Sequence, residues 1–211
     1  MSRKPSPRRT DCPYHVTART NNQEWFEIPL DQVWKIFEDQ LFFIHHAFGI
    51  QIHSFVLMTN HFHLLLSDPN GKISEALRWL MTESSREIAQ KSGRKNRIYG
   101  QKNFKSLIGS YHYYMHAYKY IYRNPVQAGA CKRVEEYPYS TLAGLIGLTP
   151  LKIPLTQDLL FGDFDRNLRW LNTAVEKKDW DSVRTALRKS EFKLRHQCFR
   201  NREHPLENRL L

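Results

Sequence analysis

Two histidines, His61 and His63, stand one residue apart in the stretch FVLMTNHFHLLLSD (residues 55–68). Successive side chains of an extended strand point to opposite faces, so both imidazoles share one face while Phe62 and Leu64 face the core. The pair fits partly exposed histidines on a sheet edge. It also fits a metal site, because neutral imidazoles spaced i, i+2 converge on a single ion. Spacing alone leaves both interpretations open.

A second candidate group lies on the tyrosine-rich stretch YHYYMHAYKYIYRNP (residues 111–125), whose pattern predicts a helix. At about 100° per residue, one apolar stripe of this helix is formed by Tyr114, Ala117, Tyr118 and Ile121. Tyr120 lies on the flank of the stripe, and Asn124, four residues on, falls on the same flank. Tyr122 projects from the opposite flank. If this helix faces the histidine pair, its phenol and carboxamide could complete one site with a nucleophile and three ligands.

Two features of the same helix stay open on sequence alone. We expect the helix to end near Arg123, because the residue before Pro125 is pushed out of the helical region. His112 and His116 precede Tyr120 on roughly the same side of the helix. Either could be a surface residue, a phosphate contact or an alternative ligand.

The remaining elements must position these groups. Strand patterns occupy residues 13–20, about 50–58, 61–67 and 103–110, and helical patterns occupy 31–48 and 73–92. Asp31 is the expected N-cap of the first helix and Gly49 its C-terminal stop. The order β-α-β-β-α-β-α predicts an α+β fold: a ferredoxin-like (RRM-like) antiparallel sheet with helices on one face, plus an added helix and a C-terminal helical tail. That topology hosts many functions, so it decides none by itself.

The composition changes after Gly147, where LTPLKIPLTQ forms a linker that contains prolines. We place a domain boundary there, with a first domain at residues 1–148 and a basic C-terminal extension at 149–211. The extension carries short helical patterns, notably WDSVRTALRKS (180–190). Because it has a basic bias without a metal-ligand set, we expect it to add binding rather than chemistry.

Charge and cysteine content narrow the partner and the compartment. The 211 residues include 32 Lys and Arg against 21 Asp and Glu, a formal net charge of +11 that favours a polyanionic partner. No run of about 18 apolar residues and no secretory leader is apparent, so we expect nucleic acid rather than a membrane. The three cysteines form no C-x-x-C pair, which argues against a disulfide framework or a cysteine zinc site and favours a reducing cytoplasm.

Four ordered motifs resemble one protein family. VLMTNHFHLLLS is similar to the signature V-L-M-P-N-H-x-H-L-L of the single-tyrosine HUH transposases, and YKYIYRNPVQAG with EEYPYST is similar to a block of their REP-associated tyrosine transposase branch. YHVTARTNNQEWF and YGQKNFKS also match that branch in kind and order. The resemblance covers about residues 10–145, with Thr59 at a turn position that is usually proline. We expect a looser hairpin there rather than an inactive site.

The resemblance implies a catalytic site and a reaction. It makes His61 and His63 metal ligands, Asn124 the third ligand and Tyr120 the nucleophile, with Mg²⁺ or Mn²⁺ as the divalent metal. The implied substrate is single-stranded DNA with a hairpin. Cleavage and strand transfer would pass through a 5′-phosphotyrosine, and the protein would act as a monomer or homodimer in the cytoplasm.

Two basic clusters are candidate phosphate contacts. We assign DNA binding to nine residues, with solvated surface charge as the alternative: Arg3, Lys4, Arg8, Arg9, Arg94, Lys95, Arg97, Lys102 and Lys105. Tyr99 and Trp79 could stack on bases or pack in the core.

Two other functions compete with this one. Ferredoxin-like sheets with surface aromatics also serve as non-catalytic modules that bind single-stranded nucleic acid, and these need no metal. The tripeptide HVT at residues 15–17 suggests a histidine phosphoesterase, but that chemistry needs a second H-x-T/S motif, which the sequence lacks. Metal-dependent nicking would separate the first rival from a transposase.

Overall fold

A computed structural model describes residues 8–100, 103–156, 163–194 and 204–211 of the chain. The strands are β1 (Tyr14–Arg19), β2 (Gln51–Leu57), β3 (His61–Ser67) and β4 (Phe104–Leu107). The helices are α1 (Leu30–Phe48), α2 (Ile73–Ser92), α3 (Tyr111–Gln127), α4 (Thr141–Leu145), α5 (Phe164–Asn172) and α6 (Lys177–Ala186). Short 3-10 turns lie at Asn21–Gln23, Val134–Glu136 and Pro205–Glu207.

The four strands form one antiparallel sheet in the order β2-β3-β1-β4. The β2–β3 turn contains Thr59 and closes with the Met58 amide donating to the His61 carbonyl at 2.8 Å. Strand β1 lies between β3 and β4, with Thr17 opposite His63 on one side and opposite Phe104 on the other. This order and direction confirm the predicted ferredoxin-like α+β fold.

Strand alternation gives the sheet two covered faces. On one face, residues such as Val16, Phe62 and Leu64 join α1 and α2 in the larger apolar core. On the other face, Val56 and Leu65 pack with α3 in a second core. The predicted pair of helices on one face is confirmed, and α3 covers the face that carries the histidines.

The predicted end of α3 is wrong in an informative way. The helix continues through Pro125 to Gln127. A proline removes one N–H donor, but here it lies in the last turn, where the Asn124 carbonyl still accepts from the Ala128 amide at 3.0 Å. The bias against helix before proline is thus overcome, and Asn124 keeps the helical conformation that places it one turn from Tyr120.

The ends of α1 also differ slightly from expectation. The helix begins at Leu30 after Pro29, so Asp31 lies in the first turn rather than at the N-cap. Gly49 ends the helix in the left-handed conformation with φ of 72°, as predicted, and its amide donates to the His45 carbonyl.

The described part of the C-terminal extension packs on α3 instead of standing apart. Leu171 of α5 and Val183 of α6 are buried in the same apolar core as Tyr118 and Ile121 of α3. Isolated bridges from Leu155 to β2 and from Glu191 to β4 tie the extension to both edges of the sheet. The boundary at residue 148 stays a prediction. Among the described residues, no helix is both long and apolar enough to cross a membrane.

Candidate active site

A cleft of about 840 Å³ opens between the α3 face of the sheet and helices α3 and α6. Strands β1 and β3 form its floor, the C-terminal half of α3 one side, and α6 the other. Its lining includes His15, Thr17, Arg19, His61, His63, Phe104, Tyr120, Asn124, Trp180, Arg184 and Arg188. The structure therefore brings together all four predicted catalytic and metal-binding residues.

The histidine pair lies on this floor because β3 alternates. The rings of His61 and His63 are 5.0 Å apart and nearly perpendicular, at 86°. Burial lowers the pKa of His61 to about 4, with the positive charge of Arg19 adding to the effect. Burial, followed by the neighbouring His61, also holds the pKa of His63 well below its ordinary value. Both imidazoles are thus neutral near pH 7, and each keeps a nitrogen lone pair that can bind a metal ion.

The tautomers of both histidines follow from their partners. The His61 Nδ1 lies 2.7 Å from Asn60 Oδ1, an oxygen that can only accept, so Nδ1 carries the proton. The Asn124 amide donates to His63 Nε2 at 3.1 Å, which leaves the His63 proton on Nδ1. Each ring therefore presents an unprotonated Nε2, the form that a metal ion requires.

His15 is a neighbour of the predicted metal ligands that the sequence did not place in the site. Its Nε2 lies 2.8 Å from His63 Nδ1, and the two rings stack with centroids 5.1 Å apart. The side chain is 2% exposed, and burial lowers its pKa to about 3, so it stays neutral and accepts the His63 Nδ1–H. The i, i+2 spacing of His15 and Thr17 in the predicted first strand was a signal that both share one strand face. Only the β1–β3 pairing shows that this face is the one with His61 and His63.

Tyr120 meets the histidine pair from α3. Its ring is edge-on to His63 at a centroid distance of 5.6 Å, and its hydroxyl hydrogen-bonds with Asn124, as the i, i+4 spacing predicted. Burial raises the pKa of the phenol, and the contact with Asn124 partly offsets this. Of the six tyrosines on α3, Tyr120 is the one that lines the cleft. Its neighbours pack elsewhere, as Tyr122 does with its hydroxyl 2.9 Å from Thr141 Oγ1.

One distance between the predicted ligands is compatible with a divalent cation. Two ligands of one octahedral ion lie about 3.0 Å apart when each is about 2.1 Å from it. His63 Nε2 and the Asn124 carboxamide are 3.1 Å apart, and a half-turn of the amide presents its oxygen in place of its nitrogen. Within the described residues no three His, Cys, Asp or Glu side chains form a ready metal set, so the predicted set of His61, His63 and Asn124 relies on an amide oxygen as its third protein ligand. The assignment of a metal stays a prediction.

The predicted DNA-binding residues lie outside this cleft wherever they are described. Arg3, Lys4 and Lys102 fall outside the described residues. Arg9 pairs with Asp11, and Arg94 is a largely buried partner of Glu24 and Glu27. Lys105 pairs with Val16 across β4 and β1, which puts it on the α1–α2 face of the sheet. Their DNA contacts, like those of Arg8, Lys95 and Arg97, stay predictions.

Four other side chains can now be placed. His116 is fully buried, and both it and His112 contact the Leu206 carbonyl, at 2.9 and 2.6 Å, so neither belongs to the cleft. Tyr99 is buried with its hydroxyl 2.8 Å from Ser84 Oγ, which confirms core packing. Trp79 is 38% exposed and stacks on Phe43 at 4.4 Å.

Fold and site together define an α+β domain in which a histidine pair on the sheet faces a tyrosine on the covering helix. Residues 8–124 match the family described as "Transposase IS200 like". Because the match covers more than half of the chain, the protein belongs to this family. The matched region ends at Asn124 and includes His61, His63 and Tyr120.

Three individual proteins are similar to this chain to different degrees. The chain is 31% identical over 91 residues to the REP-associated tyrosine transposase of Escherichia coli (strain K12), a match that spans 43% of this chain and 53% of the relative. A solved structure of a REP-associated tyrosine transposase bound to a REP hairpin aligns with a TM-score of 0.60 at 23% identity, over 78% of this chain and 95% of that chain. A putative transposase from Deinococcus radiodurans aligns with a TM-score of 0.39 at 19% identity, over 52% and 87% of the two chains. The match to the Escherichia coli transposase confirms the resemblance drawn from the motifs. The alignment with the hairpin-bound structure supports the fold.

Proposed function

We propose that this protein cleaves and rejoins single-stranded DNA beside a hairpin, with Tyr120 as the nucleophile. The observation that carries the proposal is the chain of contacts from Tyr120 to Asn124 and from Asn124 to His63. It joins a phenol to the residues that fit a metal ion. Membership of the transposase family and a relative solved with a REP hairpin support the substrate class.

The reaction is a transesterification. The Tyr120 oxygen forms a bond to phosphorus, the bond from phosphorus to the 3′ oxygen breaks, and the phenolic proton passes to solvent while the 3′ oxygen gains one. The products are a 5′-phosphotyrosine and a free 3′-hydroxyl. Because a phenol has a pKa near 10, about six units below water, it is also a good leaving group for the reverse, strand-joining step.

His61, His63 and Asn124 would hold a divalent cation, Mn²⁺ or Mg²⁺, because two neutral imidazoles and an amide oxygen are a mixed ligand set. When bound, such an ion supplies Lewis-acid stabilisation of the charge that builds on the phosphate. The protein's own contribution is positional. His15 orients His63, and Asn124 connects the metal-binding residues to the nucleophile on the same helix.

The rival of a non-catalytic binding module receives less support. Modules that bind single-stranded RNA on a ferredoxin-like sheet use the open sheet face for stacking bases. In this protein α3 covers that face. Tyr120 on α3 and His63 on the sheet are each only 6% exposed. This burial suits a closed reaction site better than a stacking platform.

The test is covalent capture. Wild-type protein is incubated with a hairpin oligonucleotide carrying single-stranded flanks in the presence of Mn²⁺, then digested and examined by mass spectrometry. We expect a nucleotide adduct on Tyr120, no adduct with Tyr120→Phe, and wild-type yield with the control Tyr111→Phe, whose ring is 60% exposed outside the cleft. An adduct on another tyrosine would overturn the assignment of the nucleophile. A Tyr120→Phe protein that still cleaves the oligonucleotide at the wild-type rate would overturn the mechanism.

A further inference from the structure

Helix α6 of the C-terminal extension forms a wall of the active-site cleft. The Trp180 ring stacks on the Tyr120 ring with centroids 4.3 Å apart and 26° between their planes. Trp180 is 8% exposed, so burial in the core holds it there. The nucleophile is thus held between an indole from the extension and the edge of His63 from the sheet.

Two arginines continue the same edge of α6. Residues four apart lie on successive turns of one helix face, and Trp180, Arg184 and Arg188 follow this spacing. α6 ends at Ala186, but Leu187 keeps a helical conformation, so Arg188 stays in line. Both arginines line the cleft that holds Tyr120 and the histidine pair.

The cleft is electrostatically suited to a phosphodiester. Among its described lining residues the cations are Arg19, Arg184 and Arg188, and none is an Asp or Glu. The positive charges of Arg184 and Arg188 favour the ionised phenol of Tyr120 and lower its pKa against the larger effect of burial. These arginines line the cleft in which the phosphate and the developing phenolate would both lie.

Existing ion pairing does not bar Arg184 from this role. It contacts Asp181 at 2.9 Å, but both side chains are more than a third exposed, at 47% and 39%. Exposed ion pairs of this kind contribute little to stability. A guanidinium also has five donors and binds phosphate oxygens in pairs, so a phosphate can share or replace the carboxylate.

We propose that Arg184 and Arg188 form a phosphate-binding wall that holds the DNA phosphodiester attacked by Tyr120, and that Trp180 positions the Tyr120 ring. The inference rests on the proposed function for the identity of the nucleophile. It departs from the expectation that the extension adds binding rather than chemistry, because α6 reaches the reacting groups themselves.

The first test measures binding without catalysis. In a Tyr120→Phe background, dissociation constants are measured for a set of hairpin oligonucleotides, each with one phosphate neutralised as a methylphosphonate. We expect one phosphate position at which neutralisation weakens DNA binding about tenfold. When Arg184→Ala and Arg188→Ala are also present, neutralising the same phosphate should weaken binding less than about twofold. The control Arg166→Ala with Arg169→Ala removes the same charge from exposed positions of α5. It should weaken binding evenly and leave the tenfold effect intact.

The second test measures rate at saturating DNA. The Arg184→Ala and Arg188→Ala pair should lower the single-turnover rate of adduct formation on the order of 100-fold, with part of the loss recovered by the matching lysine variants. Trp180→Ala should lower the rate with little change in DNA affinity, while Trp180→Phe should retain most of it.

The outcomes separate this inference from the function on which it rests. Adduct formation on Tyr120 with no coupled phosphate position would overturn the wall and leave the function standing. A coupled position in a protein that forms no adduct would support the wall and defeat the function. A coupled position with an unchanged rate in the arginine variants would place their phosphate away from Tyr120 and contradict the proposal.

Discussion

His15 offers the sharpest test of how the site is supported. Its Nε2 accepts from His63 Nδ1 at 2.8 Å, and no other described side chain is hydrogen-bonded to that nitrogen. His15→Ala removes the acceptor and leaves the His63 Nδ1–H buried without a partner. The His63 ring is then free to reorient or to move its proton to Nε2, where it would block a metal ion.

The expected magnitude follows from this geometry. Loss of such an outer partner typically lowers metal affinity about 10- to 100-fold, or about 1.4 to 2.7 kcal/mol. A buried N–H without a partner also costs about 1 to 3 kcal/mol of folding free energy. In the wild-type protein the His15 Nδ1 is itself buried without a hydrogen-bond partner among the described residues. His15→Ala removes that unsatisfied atom, which offsets part of the loss of folding free energy. We therefore expect a larger effect on metal affinity than on stability.

The assay is titration calorimetry with Mn²⁺ in the Tyr120→Phe background, with thermal unfolding measured in parallel. His15→Gln should restore much of the affinity, because its side-chain oxygen can take the place of Nε2 as acceptor. His53→Ala is the matched control: His53 lies on β2, bonds Ser67 at 2.8 Å and does not line the cleft. Wild-type Mn²⁺ affinity in a folded His15→Ala protein would refute this account of His63.

Three further predictions follow from other contacts. Asn124→Ala should weaken Mn²⁺ binding by at least tenfold while Asn124→Asp strengthens it, as calorimetry can show, because the carboxylate adds charge to the ligand set. Burial lowers the pKa of His116 to about 4, so between pH 4 and 6.5 the unfolded chain binds a proton there that the folded chain does not, and this residue alone contributes stability that rises with pH by about 2 to 3 kcal/mol across that window; because buried His15, His61 and His63 add to the same slope, His116→Gln should remove only its own share of it in denaturant unfolding. Leu171→Ala should cost about 2 to 5 kcal/mol in the same measurement, since Leu171 is 2% exposed in the core shared with α3, and a wild-type midpoint would show that the extension does not pack there.

Local patterns were enough to predict most of the fold. Strand and helix periodicity predicted all four strands and the first three helices, because alternation and 3.6-residue spacing reflect which side chains must be buried. The error at the end of α3 arose from treating the residue before Pro125 as a barrier rather than a bias. Tertiary contacts outweighed that bias, since Pro125 itself is buried in the helix that packs on the sheet.

The candidate site was predictable only where it is local or carried by a motif. His61 and His63 share a strand face, and Tyr120 and Asn124 share a helix edge, so both pairs follow from spacing. His15 and Trp180 could not be found in this way. Their roles depend on which strand pairs with β3 and on where α6 packs, and these are long-range contacts that spacing along the chain does not encode.

These long-range contacts make the site a single mechanical unit. Hydrogen bonds run from His15 on β1 to His63 on β3, from His63 to Asn124 on α3, and from Asn124 to Tyr120 one turn earlier. Trp180 closes the set from the extension. Because α3 carries both the third predicted ligand and the proposed nucleophile, a shift of this helix relative to the sheet would change metal binding and attack together. Helix α6 packs on α3 at Tyr120 itself, so the extension can set the position of α3 relative to the sheet. DNA bound along α6 would then affect both the predicted metal ligands and Tyr120 through α3.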